Sequence, residues 1–170
     1  MSQVITYAIV DAPLDRLLVA ATAHGICAAR WGESDDALAA ELARDYPDAR
    51  LECDDERLRR SVAPLLDDRA SRDRSIDLLL DVPATAFQRR VWETVRGIPA
   101  GETRTYGAVA AAAGHPGAAR AVARACAANP AALVIPCHRV VRGDGGMGGY
   151  RWGPERKRRL LEQEARGRTE

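Results

Sequence analysis

The sequence predicts an α/β unit over residues 1–83 followed by a mainly α unit over 84–170, and three observations carry that prediction. The first thirty residues alternate β-favouring runs with turn residues. From Thr85 onward, apolar residues recur at helical spacing behind recognisable caps. Between the two lies a mostly charged stretch, 67–75, whose lack of apolar period reads as a connecting loop.

Taken in order, Val4 to Val10, Leu17 to Ala21 and Ile26 to Trp31 are separated by Asp11-Ala12-Pro13 and His24-Gly25, the pattern of a three-stranded antiparallel meander. Ser34 can cap a helix that starts with Asp35-Asp36, carries Leu38 and Leu42 one turn apart, and ends before Pro47. A further helix is expected over Glu56 to Leu66, and Ile76 to Val82 reads as a strand closing the first unit. Thr85-Ala86-Phe87-Gln88 has the spacing of a capping box, and Phe87, Val91 and Val95 give the next helix its apolar stripe. That helix stops at Ile98-Pro99-Ala100-Gly101. The spacing then predicts a helix from Thr105 to Gly114, the turn His115-Pro116-Gly117, and a helix from Ala118 to Ala128, ended by Pro130, which biases Asn129 out of the α region. Helix, short turn, helix is the outline of a helix-turn-helix. Gly153-Pro154 opens a last helix with proline at its first position, leading to Leu160, Leu161 and Glu164.

At 170 residues the chain is long enough to bury a core. It has no run of about eighteen apolar residues, and Met1-Ser2-Gln3-Val4 lacks the features of a secretory signal, so a cytoplasmic protein with no membrane contact is expected. Cys27, Cys53, Cys126 and Cys137 show no Cys-x-x-Cys spacing, which signals neither a zinc ribbon nor a thioredoxin motif. In a reducing compartment disulfides are not expected. The net charge of +1 conceals a split: residues 1–83 hold 10 basic and 17 acidic side chains, and 84–170 hold 15 and 7. Such a division points the C-terminal half towards a polyanion, although runs such as Arg156-Lys157-Arg158-Arg159 also occur as solvated helix faces.

The candidate chemistry sits in Ile135-Pro136-Cys137-His138-Arg139-Val140. An apolar strand, Ala131 to Ile135, is expected to stop at Pro136, which cannot donate to a ladder, and to leave Cys137 at a loop mouth. A cysteine there is either a small core hydrophobe or a nucleophile. Neighbours on an extended chain face opposite ways, so His138 is expected to reach the Cys137 sulfur through a water. The helix Ala118 to Ala128 is thin: seven of its eleven residues are alanine, with Arg120 and Arg124 one turn apart. It suits insertion into a nucleic-acid groove, and it equally suits a packing helix with two solvated arginines. Arg142 to Gly149 holds five glycines in eight residues, either a flexible hairpin tip or backbone that must approach a ligand closely.

Together these segments resemble the O6-alkylguanine-DNA alkyltransferases, the methylated-DNA:protein-cysteine methyltransferases. The resemblance rests on Phe87-Gln88-x-x-Val91-Trp92, Gly101-Glu102-Thr103-x-Thr105-Tyr106, Ala119-Arg120-Ala121-Val122, Ala128-Asn129-Pro130, Pro136-Cys137-His138-Arg139-Val140-Val141, Gly149-Tyr150-Arg151-Trp152-Gly153 and Leu160-Leu161-x-x-Glu164, all in the family's order. It spans about 84 to 166 and is closest to the bacterial branch, which includes the transferase half of Ada.

The family implies a ribonuclease-H-like sheet in the α/β N-terminal domain and a helix-turn-helix in the C-terminal domain. It implies suicide transfer of the alkyl group from O6-alkylguanine, and from O4-alkylthymine, in DNA to Cys137. By resemblance Glu164 orients His138, His138 draws the thiol proton through a water, and Tyr106 protonates the leaving guanine at N3. The same resemblance has a monomer bind double-stranded DNA through the minor groove with the damaged nucleotide turned out. Arg120 then fills the gap, Tyr106, Ala119 and Arg124 contact DNA, and Asn129 ties the recognition helix to the active-site loop. Val140, Tyr150, Arg151 and Trp152 line the substrate pocket, with Trp152 crowding large alkyl groups. No cofactor is implied. His24, Cys27 and Cys53 make no complete ligand set, so no metal is expected, and without a cysteine cluster for Ada's zinc no regulation of transcription is implied.

Overall fold

A computed structural model of the chain describes residues 2–53, 55–67 and 78–168. Strands β1 (Val4–Asp11), β2 (Arg16–Ala21) and β3 (Ile26–Gly32) form the expected meander, with Ile9 opposite Leu18 and Leu17 opposite Trp31. Helix α1 (Asp35–Asp45) begins at Ser34, whose hydroxyl accepts from the Ala37 amide at 3.2 Å. A cap of this kind stabilises by about 1 kcal/mol. Leu38 and Leu42 are buried with Ile5, Leu18 and Ala28 on one face of the sheet. The helix α2 (Asp55–Leu66) packs on β1 and β2 and adds Val62 to the core on the other face.

Two features of this half depart from the sequence reading. A fourth strand, β4 (Arg50–Cys53), pairs in parallel with β1, so the sheet is mixed with the order β3-β2-β1-β4. It is four residues long with Arg50 and Glu52 alternating through it, a short charged edge that gives almost no apolar signal. The strand expected over Ile76 to Val82 shrinks to a single bridge: the Ile26 amide donates to Leu79 O at 2.8 Å and the Asp81 amide to Ile26 O at 2.8 Å. Residues 76 and 77, and the expected loop 67–75 beyond Asp67, lie outside the described residues.

The second half is helical. Thr85 opens α3 (Ala86–Arg96) with both arms of a capping box in place, and Val91, Trp92 and Val95 face inward. The Trp92 indole donates to Ala125 O at 3.0 Å, which joins α3 to α5 (Ala119–Ala127). Between them, β5 (Arg104–Thr105) leads into α4 (Tyr106–Ala112), capped by Thr105. The α4–α5 turn is made by Gly114 and Gly117, both at left-handed φ of about 85°. A short 3-10 helix (Cys137–Arg139) is followed by β6 (Val140–Val141), parallel to β5, and by α6 (Pro154–Gly167).

The apolar run Ala131 to Ile135 is not a strand. Only Ala131 pairs, through Ala29 N to Pro130 O at 3.0 Å and Ala132 N to Ala29 O at 2.8 Å. The chain then coils, with Leu133 at φ 66° and the Ile135 amide closing back on Ala131 O at 2.9 Å. These residues are apolar because the turn is buried, and an apolar run cannot by itself distinguish a buried strand from a buried turn. One cluster of buried side chains runs through both halves, from Leu17, Val19 and Trp31 of the sheet to Val91, Val122, Ile135 and Leu160. No described helix is long and apolar enough to cross a membrane.

Candidate active site

The chain reaches Cys137 through a clamp. Asn129, fully buried at the end of α5, donates from Nδ2 to Ile135 O and accepts from the Ala131 amide, each at 2.8 Å. Its side chain also acts to lower the pKa of the Cys137 thiol. The amide thus holds the turn 131–135 at both ends, and replacing it would strand two backbone groups in the interior at about 1–3 kcal/mol each.

Cys137 and His138 sit on a 3-10 turn, so the opposite faces of an extended chain do not apply to them. His138 is nonetheless held elsewhere: its Nε2 lies 2.7 Å from Oε1 of Glu164 on α6. A carboxylate can only accept, which places the ring proton on Nε2 and leaves Nδ1 as the basic nitrogen. Nδ1 is buried and meets no partner among the described residues. Burial lowers the His138 pKa more than Glu164 raises it, so the ring is neutral at pH 7.

Glu164 is drawn to several donors. Arg139 reaches it with Nε at 3.1 Å and Nη2 at 2.8 Å, and the Gly101 amide donates at 3.3 Å. Burial alone would raise its pKa, but His138 and Arg139 outweigh that and hold it at about 2. Arg139 is fixed in turn by donating from Nη1 to Ile98 O at 2.7 Å.

The sulfur itself is buried, and Cys126 is the neighbouring side chain that bears most on it. Burial, reinforced by Cys126, pushes the Cys137 thiol well above its ordinary range, against the opposing pull of Asn129 and Lys157. The structure presents a protonated thiol and a neutral base, so a nucleophilic sulfur has to lose its proton as it reacts.

Lys157 is the residue the sequence conceals. Its ammonium is wholly buried, donating to Val140 O at 2.6 Å and Gly149 O at 3.0 Å, and it lies 5.7 Å from the centre of the Tyr106 ring. Burial lowers its pKa to about 8, while Cys126 and Cys137 pull the other way. Within Arg156-Lys157-Arg158-Arg159 it reads as one more solvated charge. The available signal was its spacing of three, four and seven residues before Leu160, Leu161 and Glu164, the inward face of α6. Arg139 had no comparable signal.

Tyr106, the first residue of α4, has its pKa raised to about 12 by burial and then by Cys126 and Cys137, so it is a proton donor at pH 7. A Cβ on Gly148 would come within 2.7 Å of its hydroxyl, so the glycine loop keeps that hydroxyl clear. The Tyr150 ring stands edge-on to His138 at 6.4 Å and to Trp152 at 5.3 Å. Arg151 lies over Trp152 at 5.2 Å and donates to Asn129 O at 2.5 Å, and Val140 is buried beneath.

The structure therefore gathers Cys137, His138, Glu164, Tyr106, Asn129, Val140 and Tyr150 around one buried centre, with Arg151 and Trp152 on its loop. Arg120 and Arg124 stand apart, exposed on the outer face of α5 opposite Val122, Ala125 and Cys126, with Ala119 half-buried at its start. His24 is in the exposed β2–β3 turn and His115 packs edge-on against Phe87 at 5.1 Å, so His138 is the histidine of this centre. Among the described residues no group of three or more His, Cys, Asp or Glu side chains is placed to hold a metal ion.

Comparison with known proteins points to one family. The family profile described as 6-O-methylguanine DNA methyltransferase, DNA binding domain, matches residues 86–166. Regulatory protein Ada of Salmonella typhimurium is 49% identical over 161 residues, 95% of this chain and 46% of that protein. The bifunctional transcriptional activator/DNA repair enzyme Ada of Escherichia coli is 47% identical over the same shares. The chain thus spans about half the length of these curated relatives. The crystal structure of Mycobacterium tuberculosis OGT in complex with DNA matches with a TM-score of 0.76 at 33% identity, covering 95% of this chain and 94% of that one. With matching folds over nearly the whole of both chains and a family profile that spans residues 86–166, the chain belongs to the O6-methylguanine-DNA methyltransferase family.

Proposed function

We propose that the chain repairs DNA by direct reversal, taking the alkyl group from O6-alkylguanine, and from O4-alkylthymine, onto Cys137 in a single turnover. One observation carries this reading: a buried thiol beside a neutral histidine whose Nε2–H is held by an ionised carboxylate, the arrangement of an activated nucleophile. In the transfer the Cys137 sulfur bonds to the alkyl carbon as the bond from that carbon to O6 breaks. The thiol proton passes to Nδ1 of His138 through a water. Glu164, held in place by Arg139, steadies the imidazolium that forms, and the Lys157 charge favours the developing thiolate. Tyr106 gives its proton to N3 of the departing guanine. The thioether is stable, so the sulfur is not regenerated. The alkylated base is itself the electrophile, so the reaction as written draws on no cofactor.

The partner in this reading is double-stranded DNA. We read α4, the glycine turn and α5 as a helix-turn-helix whose outer face enters the minor groove, with Arg120 filling the space of the turned-out nucleotide and Arg124 and Ala119 against the backbone. The mixed sheet we read as ribonuclease-H-like, and residues 1–83 and 84–170 as two domains that share one core. Incubation with an oligonucleotide carrying O6-methylguanine, followed by mass spectrometry, tests the function. One methyl group per chain, on Cys137, is the expected result. Binding of the oligonucleotide with no adduct, or catalytic turnover, overturns it.

A further inference from the structure

The loop that carries Trp152 into α6 is anchored from outside the site. Gly153 precedes the helix at φ 98° and has no side chain to cap it, and Pro154 after it brings no N–H. One guanidinium on the first turn of the helix grips this joint. Arg156 donates from Nη1 to Trp152 O at 3.1 Å, and from Nε and Nη2 to Asp15 Oδ2 at 3.1 and 2.8 Å. The planar fork of donors lets a single side chain hold both partners at once.

Asp15 belongs to the other half of the chain, in the turn between β1 and β2, 141 residues before Arg156. That turn is itself tied down. The Ala12 amide donates to Asp15 O at 3.1 Å, and Ala12 and Leu14 pack against the same core that receives Tyr150 and Trp152. From Trp152 the contacts run inward, edge-on to the Tyr150 ring at 5.3 Å and from that ring edge-on to His138 at 6.4 Å. An unbroken line of contacts therefore joins the tip of the sheet's first hairpin to His138, and Trp152 is its middle link.

We propose that Asp15 and Arg156 are positioning residues for the alkyl pocket: together they latch the Trp152 backbone to the N-terminal sheet, and so hold the indole where it limits the size of the O6 substituent. The proposal rests on the transfer reading above and on Trp152 standing at the pocket wall. Arg156 and Asp15 keep 23% and 32% of their side-chain surface exposed, so water and salt compete for the pair and its hold is modest. Without the latch the loop gives way, which favours a large substituent over a small one.

The test is a double-mutant cycle with Asp15→Ala, which removes the anchor, and Arg156→Met, which keeps the apolar stem and removes the fork. Maximal transfer rates and half-saturating concentrations are measured on one single-stranded oligonucleotide carrying either O6-methylguanine or O6-benzylguanine, so that DNA binding cancels in the ratio. Each single variant should raise the benzyl-to-methyl rate ratio about twofold to fivefold, the scale of a partly exposed ion pair. The double variant should raise it no further. Asp35→Ala is the control: it breaks a partly exposed ion pair with Arg16, at 2.7 Å, on the α1 side of the sheet, and its ratio should stay at the wild-type value. A ratio at or below wild type in either latch variant, ratios that multiply in the double variant, or an equal rise in Asp35→Ala overturns the proposal. A wild-type protein that takes no methyl onto Cys137 overturns the transfer reading itself, and the latch falls with it.

Discussion

Cys27 and Cys137 are both buried, and burial raises the pKa of both thiols, yet the two regions around them differ in kind. Cys27 lies on the α1 face of the sheet among Ile5, Leu18, Leu38 and Leu42, with the Tyr46 hydroxyl as its polar neighbour. Around Cys137 the interior holds Asn129, His138 and Lys157, three of the four buried polar or charged residues among those described. Placing an ammonium, an imidazole and an amide inside a protein costs several kcal/mol unless each is matched. The first core is organised for stability and the second tolerates that cost. A raised thiol pKa is thus no mark of a site; the polar groups assembled around the thiol are.

The contrast can be broken most directly by Cys137→Ala and Cys27→Ala. The first should abolish methyl transfer and leave DNA binding largely intact, because the sulfur is not a phosphate contact. The second should transfer at a rate near wild type and lose about 1 kcal/mol of stability. Transfer surviving in Cys137→Ala, measured by label retained on the protein, would remove the assignment.

Glu164→Gln should slow transfer about 100-fold, the scale on which a positioned base contributes. It should also change acid stability. With its folded pKa near 2, below an ordinary value of about 4.3, Glu164 contributes stability that is fully present above about pH 4.3 and is lost as pH falls towards 2. Denaturant midpoints of wild type and variant should therefore converge over that window, and parallel curves would show that the carboxylate is not held as described.

Arg120→Ala sharpens the division between the buried centre and the exposed face of α5. Transfer from duplex DNA should fall about tenfold or more, as loss of a stacking contact predicts, while the rate on a free O6-alkylguanine base stays the same. Equal losses on both substrates would place Arg120 with the chemistry instead of with extrusion.

The smallest effect should come from Lys157→Met, about tenfold in rate at pH 7, since the ammonium acts on the sulfur as a charge. Its pH signature is more telling. Burial disfavours the charged form, so the folded pKa of about 8 lies below the ordinary value of about 10.4. Wild type should gain stability as pH rises from about 8 to about 10.4, and lose transfer rate as the folded protein gives up the charge around pH 8. A variant that keeps either trend would show that it belongs to another group.

The sequence was informative wherever one local signal decided the outcome. Ser34 and Thr85 cap the helices they were expected to cap, and Pro154 opens α6. The reading failed where conformation depends on the partner across the fold. Ala131 to Ile135 turns because Asn129 holds both its ends and Ala29 pairs alongside the first, and neither contact is visible in a run of five apolar residues. β4 exists because β1 has an open edge beside it. His138 and Glu164 were legible as a resemblance, whereas Lys157 was hidden by its charged neighbours.

One backbone feature bears on what happens outside the reaction. The free side of β3 is taken up by two short segments, Leu79 to Asp81 and Pro130 to Ala132, each bonded to a single residue of the strand. An exposed strand border invites another chain to add to it, and these segments close that border. The second runs directly into the cysteine turn. Swelling of the turn by a bound alkyl group would pull at Ala29, whose amide would then exchange with solvent faster, so hydrogen exchange at that amide reports from the sheet on the state of the sulfur. The segment that presents the nucleophile also guards the sheet against unwanted company.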